Sequence, residues 1–574
     1  MSLSLSYQKS SFEKATQKPY HLALFVIVLF AFVIRIFPRL LLPYFYMDDE
    51  TINMVIPILK MIHSHSLDPH FYKYGSLISY LNIPIYEIYF HLMHIAPLPP
   101  PSLDFLNPSL YYIGRYESAV FDVLTILVTY KIGERLFNKK VAFLALIFMV
   151  FNPLELFMSH LFKPDTFMTF FAMCVFYFSI RLKEKEQLRW YVLAGIFSGF
   201  AMSTRLDFFV LLMPITGWFI YYYKTPVSDS THKQTIVIPS LPPLEKGGRG
   251  DLPLEKGWGA KTEFGSGEFE VSSPPFSKAL QKRRNIAVFL LVAFIAFFLT
   301  SPYLVLHIPE FMHAIFHEFT YEQNINLENN ILHKRFVAQF LIVFPFMLSI
   351  SIYALSMYGI YLYAKHGGLY EAMLYLIYPF IYFLITTLVS DRPSYAGGGY
   401  FYLAILPFII LLAAYSFMYV LDKLRNKGAQ ILIIVIVFID IFFASSNFIS
   451  SIYNYNRLGY WADKNIPSKS AILILNTFRP VFQWKYYVYP IYTETIKRDP
   501  PLKYSMKIIN PDFVIATGFD IYLEGGHTYF SHLMKTDHYH EVKIFRPYFA
   551  PYIYMFSLFA PEVRSGEIYV YKNH

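Results

Sequence analysis

Residues 22–54 read LALFVIVLFAFVIRIFPRLLLPYFYMDDETINM, an apolar run followed by three consecutive carboxylates. The apolar part, residues 22–42, has the roughly twenty residues that an α-helix needs to cross a hydrocarbon layer about 30 Å thick. No small-residue cleavage site follows it, which predicts an anchor that stays in the membrane. Carboxylates at the end of such a helix have two explanations, a solvated stop signal or part of a site at the membrane surface.

The composition indicates a polytopic membrane protein. Of the 574 residues, 55% are hydrophobic, 20% are aromatic and only 16% are charged, which is more apolar than soluble domains are. The formal net charge of +9 is interpreted as the positive-inside bias of membrane proteins, so no nucleic-acid partner is expected. The single cysteine, Cys174, lies in an apolar segment, is interpreted as a packing residue and allows no intramolecular disulfide.

About eleven apolar runs are long enough to span a bilayer. They lie at residues 22–42, 116–133, 141–159, 164–182, 190–204, 206–223, 285–304, 336–362, 370–390, 400–420 and 429–450. Basic residues concentrate in every second gap between them, which assigns those gaps to the cytoplasm. The expected location is therefore the inner (cytoplasmic) membrane of a cell, with the acidic turns on the outer face. The apolar stretch 77–95 is interpreted as a helix along the outer interface, because counting it as a span would invert every later gap.

The predicted fold class is mainly α, a polytopic transmembrane helical bundle with a small C-terminal extracytoplasmic α/β domain. Residues 225–284 are rich in Pro, Gly and charge and repeat LPPLEKG as LPLEKG, which predicts a disordered cytoplasmic insertion. After residue 450, short strand-like runs alternate with turns. The predicted parts are a cytoplasmic N-terminus 1–20, a transmembrane core 21–224 with its first outer loop at 43–115, the insertion 225–284, further transmembrane helices 285–450 and an outer soluble domain 451–574.

Charged residues recur in the outer turns. The first loop opens with Asp48, Asp49 and Glu50, the second turn contains Asp165 in SHLFKPDTFMTFF, and the third contains Arg205 and Asp207. Together they are typical of a site for a phosphate-bearing substrate, in which a carboxylate acts as base and a guanidinium binds phosphate. Each residue also has a simpler explanation, since Asp165 could be only a helix cap and Arg205 only an interface anchor.

The order of several motifs resembles the GT-C membrane glycosyltransferases of the protein O-mannosyltransferase and lipid A aminoarabinose transferase type, glycosyltransferase family 39 in the broad sense. The motifs are MDDETINMV, the Arg-led span GRYESAVFDVLTILVTYKIGERLF, FNPLELFMSHLFKPD, GFAMSTR, GGGYFYLAILPFIILLAA and WADKNIP. Many relatives have Lys at the position of Arg205; Arg keeps the charge and can form a two-point contact with phosphate.

The resemblance implies a GT-C fold and an inverting transfer of a monosaccharide, hexosyl or pentosyl, from a polyprenyl-phosphate donor to an acceptor on the outer face. The acceptor would be a lipid, a glycan or a protein. In this scheme Asp49 removes the acceptor proton, Asp165 orients the acceptor or Asp49, and Arg205 neutralises the leaving phosphate.

The same resemblance gives supporting roles to other residues. Lys163 or His160 would assist at the phosphate, and Glu50 would bind sugar hydroxyls or join a metal site. Asp48 and Asp207 are accessory candidates, and Arg392, beside the run of glycines at 397–399, is a candidate for binding the donor phosphate.

Paired carboxylates suit Mg²⁺ or Mn²⁺, so a divalent metal is a candidate cofactor. The histidines His63, His65, His70, His313 and His317 form no convincing zinc-binding pattern. Two other functions stay open from the sequence. A transporter or lipid flippase would place charges at mid-membrane and show repeated halves, and an envelope assembly or scaffold protein would tolerate loss of the carboxylates.

Overall fold

The structure is a computed structural model that describes residues 20, 22–36, 50–94, 108–206, 208–214, 275–314, 316, 339–367, 369–389, 398–475, 487–491, 506, 509–517, 527–547 and 567–573. Four predicted site residues, Asp48, Asp49, Asp207 and Arg392, lie outside the described residues. So do residues 225–274 of the predicted insertion; the part at 275–284 is helical.

Helices dominate the described residues, as predicted. In the first part of the chain they are α1 (Leu22–Ile36), α2 (Ile56–Ser64, preceded by a π-helical turn at Thr51–Val55), α3 (Leu77–Leu92), α4 (Pro108–Leu136), α5 (Lys139–Val150), α6 (Pro153–Met158), α7 (Pro164–Glu184) and α8 (Leu188–Thr204). The next part contains α9 (Pro275–Thr300), α10 (Pro302–Leu306), α11 (Phe344–Leu348), α12 (Ile350–Gly367), α13 (Leu369–Val389), α14 (Leu406–Lys423) and α15 (Lys427–Asn465).

The turns between the early helices follow from local sequence. Asn138 and Asn152 cap α5 and α6, because each side-chain oxygen accepts hydrogen bonds from two backbone N–H groups of the helix that follows. Proline occupies the first position of both α6 and α7, where its missing N–H costs nothing. These signals place the short helix α6 between α5 and α7. The turn at residues 159–163, between α6 and α7, carries the predicted site residues His160 and Lys163.

Four helices in the described ranges are long and apolar enough to cross a membrane: Pro164–Leu182, Arg283–Thr300, Tyr402–Lys423 and Lys427–Asn447. The first and third are mostly buried in the protein, at 78% and 72%, whereas the second and fourth are only 28% and 22% buried. In a bilayer, α9 and α15 would therefore present most of their apolar surface to lipid. The predicted count of about eleven spans is not confirmed.

The C-terminal part is a small α/β unit, as predicted. Its five strands are β1 (Ala471–Leu475), β2 (Tyr487–Ile491), β3 (Phe513–Thr517), β4 (Tyr539–Phe545) and β5 (Ile568–Asn573), in the order β2-β1-β3-β5-β4. The first three strands of that order pair in parallel, and β5 pairs antiparallel to both β3 and β4. Helix α16 (His527–Thr536) packs on one face of the sheet through Phe530 and Met534.

Helix α15 connects the membrane part to this unit without a break over 39 residues. Near its end, the Asn454 side-chain amide donates to the backbone oxygen of Phe545 at 3.3 Å, and Arg457 donates to the backbone oxygen of Arg546 at 2.9 Å. Ile472 and Ile474 of β1 belong to the same apolar core as Leu458 and Ala462 of α15. The sheet is thus packed directly on the extension of the last helix.

Candidate functional site

Asp165 and Arg205 form an ion pair between two helix ends. Asp165 lies in the first turn of α7, and Arg205 immediately follows the last residue of α8. An Arg205 N–H donates to Oδ1 of Asp165; the Asp165 side chain is 3% exposed and that of Arg205 is 22% exposed. The carboxylate is therefore enclosed, while part of the cation reaches the surface.

Glu50 is fully buried and is bound on two sides. Its Oε1 accepts from Nε of Arg115 at 2.8 Å, and its Oε2 accepts from Nη2 at 2.6 Å. Oε1 also accepts from the backbone N–H of Phe162 at 2.6 Å. Glu50 thus joins the segment before α2 to α4 and to the turn that precedes Asp165, which suits a positioning role better than direct contact with a substrate.

The turn at residues 159–163 is itself buried. Lys163 is 1% exposed and His160 is 6% exposed. The imidazole Nδ1 of His160 lies within hydrogen-bonding distance of the Leu156 backbone oxygen. Both predicted phosphate-assisting residues therefore lie on the segment that leads into Asp165, beneath the surface.

Gly114 allows this turn to approach α4 closely. A Cβ at Gly114 would come within 2.2 Å of the Phe162 ring, a separation that no real side chain tolerates. Because Gly114 precedes Arg115, the same stretch of α4 both admits the Phe162 ring and holds the Glu50 carboxylate. The backbone N–H of Phe162 then reaches that carboxylate.

The loop between α2 and α3 docks against the end of α8. A Cβ at Gly75 would lie 2.1 Å from the backbone oxygen of Ser203. The Ser76 N–H donates to the Ser301 hydroxyl at 2.8 Å, and that hydroxyl also lies within hydrogen-bonding distance of the Ser203 hydroxyl. The loop between α2 and α3 is therefore held against Ser203, two residues before Arg205.

The same loop contains a polar cluster that the sequence interpretation did not single out. Asp68, 7% exposed, accepts from the Tyr72 hydroxyl at 3.1 Å. His307 Nε2 and His70 Nδ1 lie 3.4 Å and 3.5 Å from Oδ2 of Asp68, and the His307 ring stacks on Tyr72 with centroids 5.4 Å apart. His307 follows α10, 239 residues from Asp68, so no local motif marks the pair.

Within the described part of the chain, the predicted site residues fall into two groups. The structure brings Asp165 and Arg205 into contact, and it links Glu50 to the turn of His160 and Lys163 through Phe162. Arg115, the partner of Glu50, was not predicted as a site residue. Its one sequence feature was its position at the start of an Arg-led apolar span. Within the described residues no group of three or more His, Cys, Asp or Glu side chains is arranged to hold a metal ion.

Residues 113–238 match the family model described as dolichyl-phosphate-mannose-protein mannosyltransferase. The match covers less than a quarter of the 574 residues, and we call this matched stretch the mannosyltransferase segment. The predicted resemblance to membrane glycosyltransferases is confirmed on this segment. The mannosyltransferase segment includes Arg115, Lys163, Asp165 and Arg205, so it contains most of the buried contacts described above.

A curated relative shares part of its sequence with this chain. It is the dolichyl-phosphooligosaccharide-protein glycotransferase 2 of Pyrococcus furiosus, 32% identical over 105 residues. The match spans 17% of this chain and 14% of the relative.

Two solved structures are similar over most of the chain. ArnT from Cupriavidus metallidurans, bound to undecaprenyl phosphate, has a TM-score of 0.47 and 11% identity, covering 96% of this chain and 98% of that one. The Archaeoglobus fulgidus oligosaccharyltransferase in complex with Zn and sulfate has a TM-score of 0.42 and 14% identity, covering 89% and 71%. At TM-scores below 0.5, these likenesses establish nothing about the site of this chain.

Proposed function

We propose that this protein is an inverting glycosyltransferase that moves a monosaccharide, hexosyl or pentosyl, from a polyprenyl-phosphate donor to a lipid, glycan or protein acceptor. The reaction would take place on the outer face of the inner membrane. Support comes from the mannosyltransferase segment and from the curated relative, because the names of the matched family and of that relative both specify a dolichyl-linked sugar donor.

The Asp165–Arg205 pair is the observation that carries the proposal. It lies at the N-terminus of the 21-residue helix α7, where the helix dipole favours an anion. Arg205 adds a partly exposed guanidinium, and the Lys163 side chain, on the residue before α7, adds a second cation. A partly exposed guanidinium at a helix N-terminus suits a phosphate that gains negative charge as its bond to the sugar breaks, and the buried Lys163 adds positive charge beneath it.

In the proposed reaction, the bond between the sugar carbon and the phosphate oxygen breaks, and the acceptor oxygen attacks the same carbon from the opposite side. The acceptor proton passes to Asp49. Arg205 neutralises the leaving phosphate, and Asp165 holds the Arg205 guanidinium in place. Asp48, Asp207 and Arg392 remain candidates for accessory contacts, and Mg²⁺ or Mn²⁺ remains a candidate cofactor.

For Glu50 we propose a positioning role. Its carboxylate oxygens accept hydrogen bonds from Arg115 and Phe162, so its first task is to fix the base of the outer loop. Glu50 immediately follows Asp49 in the chain, and its anchorage therefore restrains the proposed base.

The test is transfer of radiolabelled sugar from a panel of polyprenyl-phosphate sugars, in membranes that carry matched amounts of each protein. Wild type is compared with Asp49→Asn, Asp165→Asn and Arg205→Ala. The exposed residues Asp422 and Arg425, which lie outside the proposed site, provide the controls Asp422→Asn and Arg425→Ala. Transfer by wild type and both controls, with loss in the three site variants, is the expected result. Equal transfer by all variants would overturn the site, and no transfer from any donor by wild type would overturn the function.

A further inference from the structure

Three charged side chains meet inside the helical bundle, away from the ion pairs described above. Arg35 of α1, Asp122 of α4 and Glu155 of α6 are at most 1% exposed. A hydrogen bond runs from Nε of Arg35 to Oδ2 of Asp122. The remaining Arg35 nitrogens donate to the backbone oxygens of Ala31, Val150 and Met149 at 3.2 Å, 3.3 Å and 3.4 Å. The guanidinium is thus surrounded by acceptors.

The carboxyl group of Glu155 lies within hydrogen-bonding reach of Asp122 and is also influenced by the charge of Arg35. If both carboxyl groups were ionised, the cluster would carry one net negative charge on side chains that are at most 1% exposed. Burying an uncompensated charge is strongly unfavourable.

Two atoms of the cluster give a second, independent observation. Oδ1 of Asp122 and Oε1 of Glu155 are buried and, among the described residues, have no hydrogen-bond partner. Two ionised carboxylates can only accept hydrogen bonds, whereas a protonated carboxyl also donates one. A proton between the two groups would satisfy both acceptors and remove the excess charge.

We propose that Asp122 and Glu155 share one proton, so that with Arg35 they form a neutral cluster, and that this cluster positions the two acidic outer turns. Either carboxyl group can then serve as the counter-ion of Arg35. The shared proton does not depend on the proposed function. The role of the cluster in positioning the outer turns rests on the proposed function.

The positioning role follows from where the three residues lie. Asp122 is seven residues, about two turns, after Arg115 on α4, so both face the same side of that helix. Arg35, which precedes the acidic stretch 48–50, is bound to Asp122. Glu50, which ends that stretch, is bound to Arg115. Glu155 belongs to α6, which leads directly into the turn before Asp165. One face of α4 therefore anchors the chain on both sides of Asp49 and also before Asp165.

The shared proton is tested by infrared difference spectroscopy of purified protein in detergent. The carbonyl stretch of a protonated carboxylic acid, identified by its shift in heavy water, is compared between wild type, Asp122→Asn and Glu155→Gln. We expect each single variant to lose the same band, because the one remaining carboxyl group is then ionised by Arg35. Glu134→Gln, at the far end of α4, is the control and keeps the band. A band that survives in either single variant would overturn the sharing.

The positioning role is tested by a double-mutant cycle with thermal unfolding and sugar transfer as readouts. Each single variant should keep its unfolding midpoint within about 3 °C of wild type, since one counter-ion remains. The double variant Asp122→Asn/Glu155→Gln leaves Arg35 unpaired and should lose at least about 5 °C together with transfer. Adding Arg35→Met should restore the midpoint but not transfer. Additive effects of the two single variants, or restored transfer in the triple variant, would contradict the proposal. A wild type without transfer refutes the proposed function alone, because the infrared and unfolding results stand without it.

Discussion

Glu50 and Arg115, 65 residues apart in the chain, form a buried two-point ion pair with N–O distances of 2.8 Å and 2.6 Å. The geometry is that of the strong, planar contact that guanidinium and carboxylate groups make. It fixes the segment before α2 on α4, and through Phe162 it also fixes the turn before Asp165. The carboxylate run at residues 48–50 is therefore more than a stop signal, because at least one of its members holds the fold together.

Breaking this pair should destabilise the protein strongly. We expect Glu50→Gln to lower the free energy of unfolding by about 3–5 kcal/mol, since it leaves a buried guanidinium without its counter-ion. The double variant Glu50→Met/Arg115→Met should recover most of that stability, while transfer stays low because the loop is no longer held. Thermal unfolding and transfer assays on the same preparations measure both effects. A fully active double variant would argue against the positioning role.

Arg205 should be needed for transfer more than for folding, because its side chain is 22% exposed and lies at the end of a helix. Arg205→Ala is expected to lower kcat/KM by about 100-fold or more, the effect of losing one group that stabilises developing charge. Arg205→Lys keeps the charge without the two-point geometry and should retain part of the activity. Steady-state kinetics with one active donor distinguishes these outcomes, and Arg425→Ala serves as the matched control.

A methyl group at Gly114 should disturb the site through packing alone. Gly114→Ala would place its Cβ 2.2 Å from the Phe162 ring, and such overpacking costs about 1–3 kcal/mol. The displaced turn should lower transfer as well. Gly428→Ala is the control, because Gly428 lies in the exposed first turn of α15. Its added Cβ would meet only the Asn426 side chain, at 3.2 Å. An unchanged unfolding midpoint for Gly114→Ala would show that the turn can move without cost.

Tyr72 should make the stability of the outer loop sensitive to alkali. Burial, followed by its hydrogen bond to Asp68, raises the pKa of Tyr72 from 10.0 to about 12. Because the folded form holds the phenolic proton more tightly, the Tyr72 hydroxyl contributes to the free energy of unfolding. This contribution is complete below pH 10 and is lost as the pH rises through about 12. The difference in unfolding midpoint between wild type and Tyr72→Phe should therefore be constant at lower pH and shrink between pH 10 and 12. A difference that grows over that range would have the wrong sign.

Cys174 offers a test of the packing of the bundle. It is the single cysteine of the chain and is buried in α7. We expect a maleimide reagent to label native protein at least about tenfold more slowly than denatured protein, because the thiol must reach the reagent. Rapid labelling of the native protein would mean that α7 is not enclosed as the structure describes. Cys174→Ser, which cannot react, gives the background.

Local signals in the sequence predicted where helices begin and end. Contacts between segments that are distant in the chain could not be predicted from such signals. Asp165 was expected at a helix start, and its place in the first turn of α7 follows from the proline before it. Counting spans also predicted that Asp165 and Arg205 lie on the same side of the membrane. In the structure these two residues form an ion pair. Arg115 and Asp68 could not be assigned in this way, because their partners Glu50 and His307 come from remote segments. No periodicity or spacing encodes such contacts.

The unbroken helix α15 joins the C-terminal α/β unit to an apolar stretch that is only 22% buried. Its 39 residues correspond to about 58 Å, roughly twice the thickness of the hydrocarbon layer. The sheet is fastened to the far half by Asn454 and Arg457, so it cannot turn or rise unless the lipid-facing half tilts too. The packing of α15 against its neighbouring helices, which sets the tilt of a membrane helix, therefore also sets the position and angle of the sheet relative to the helical bundle.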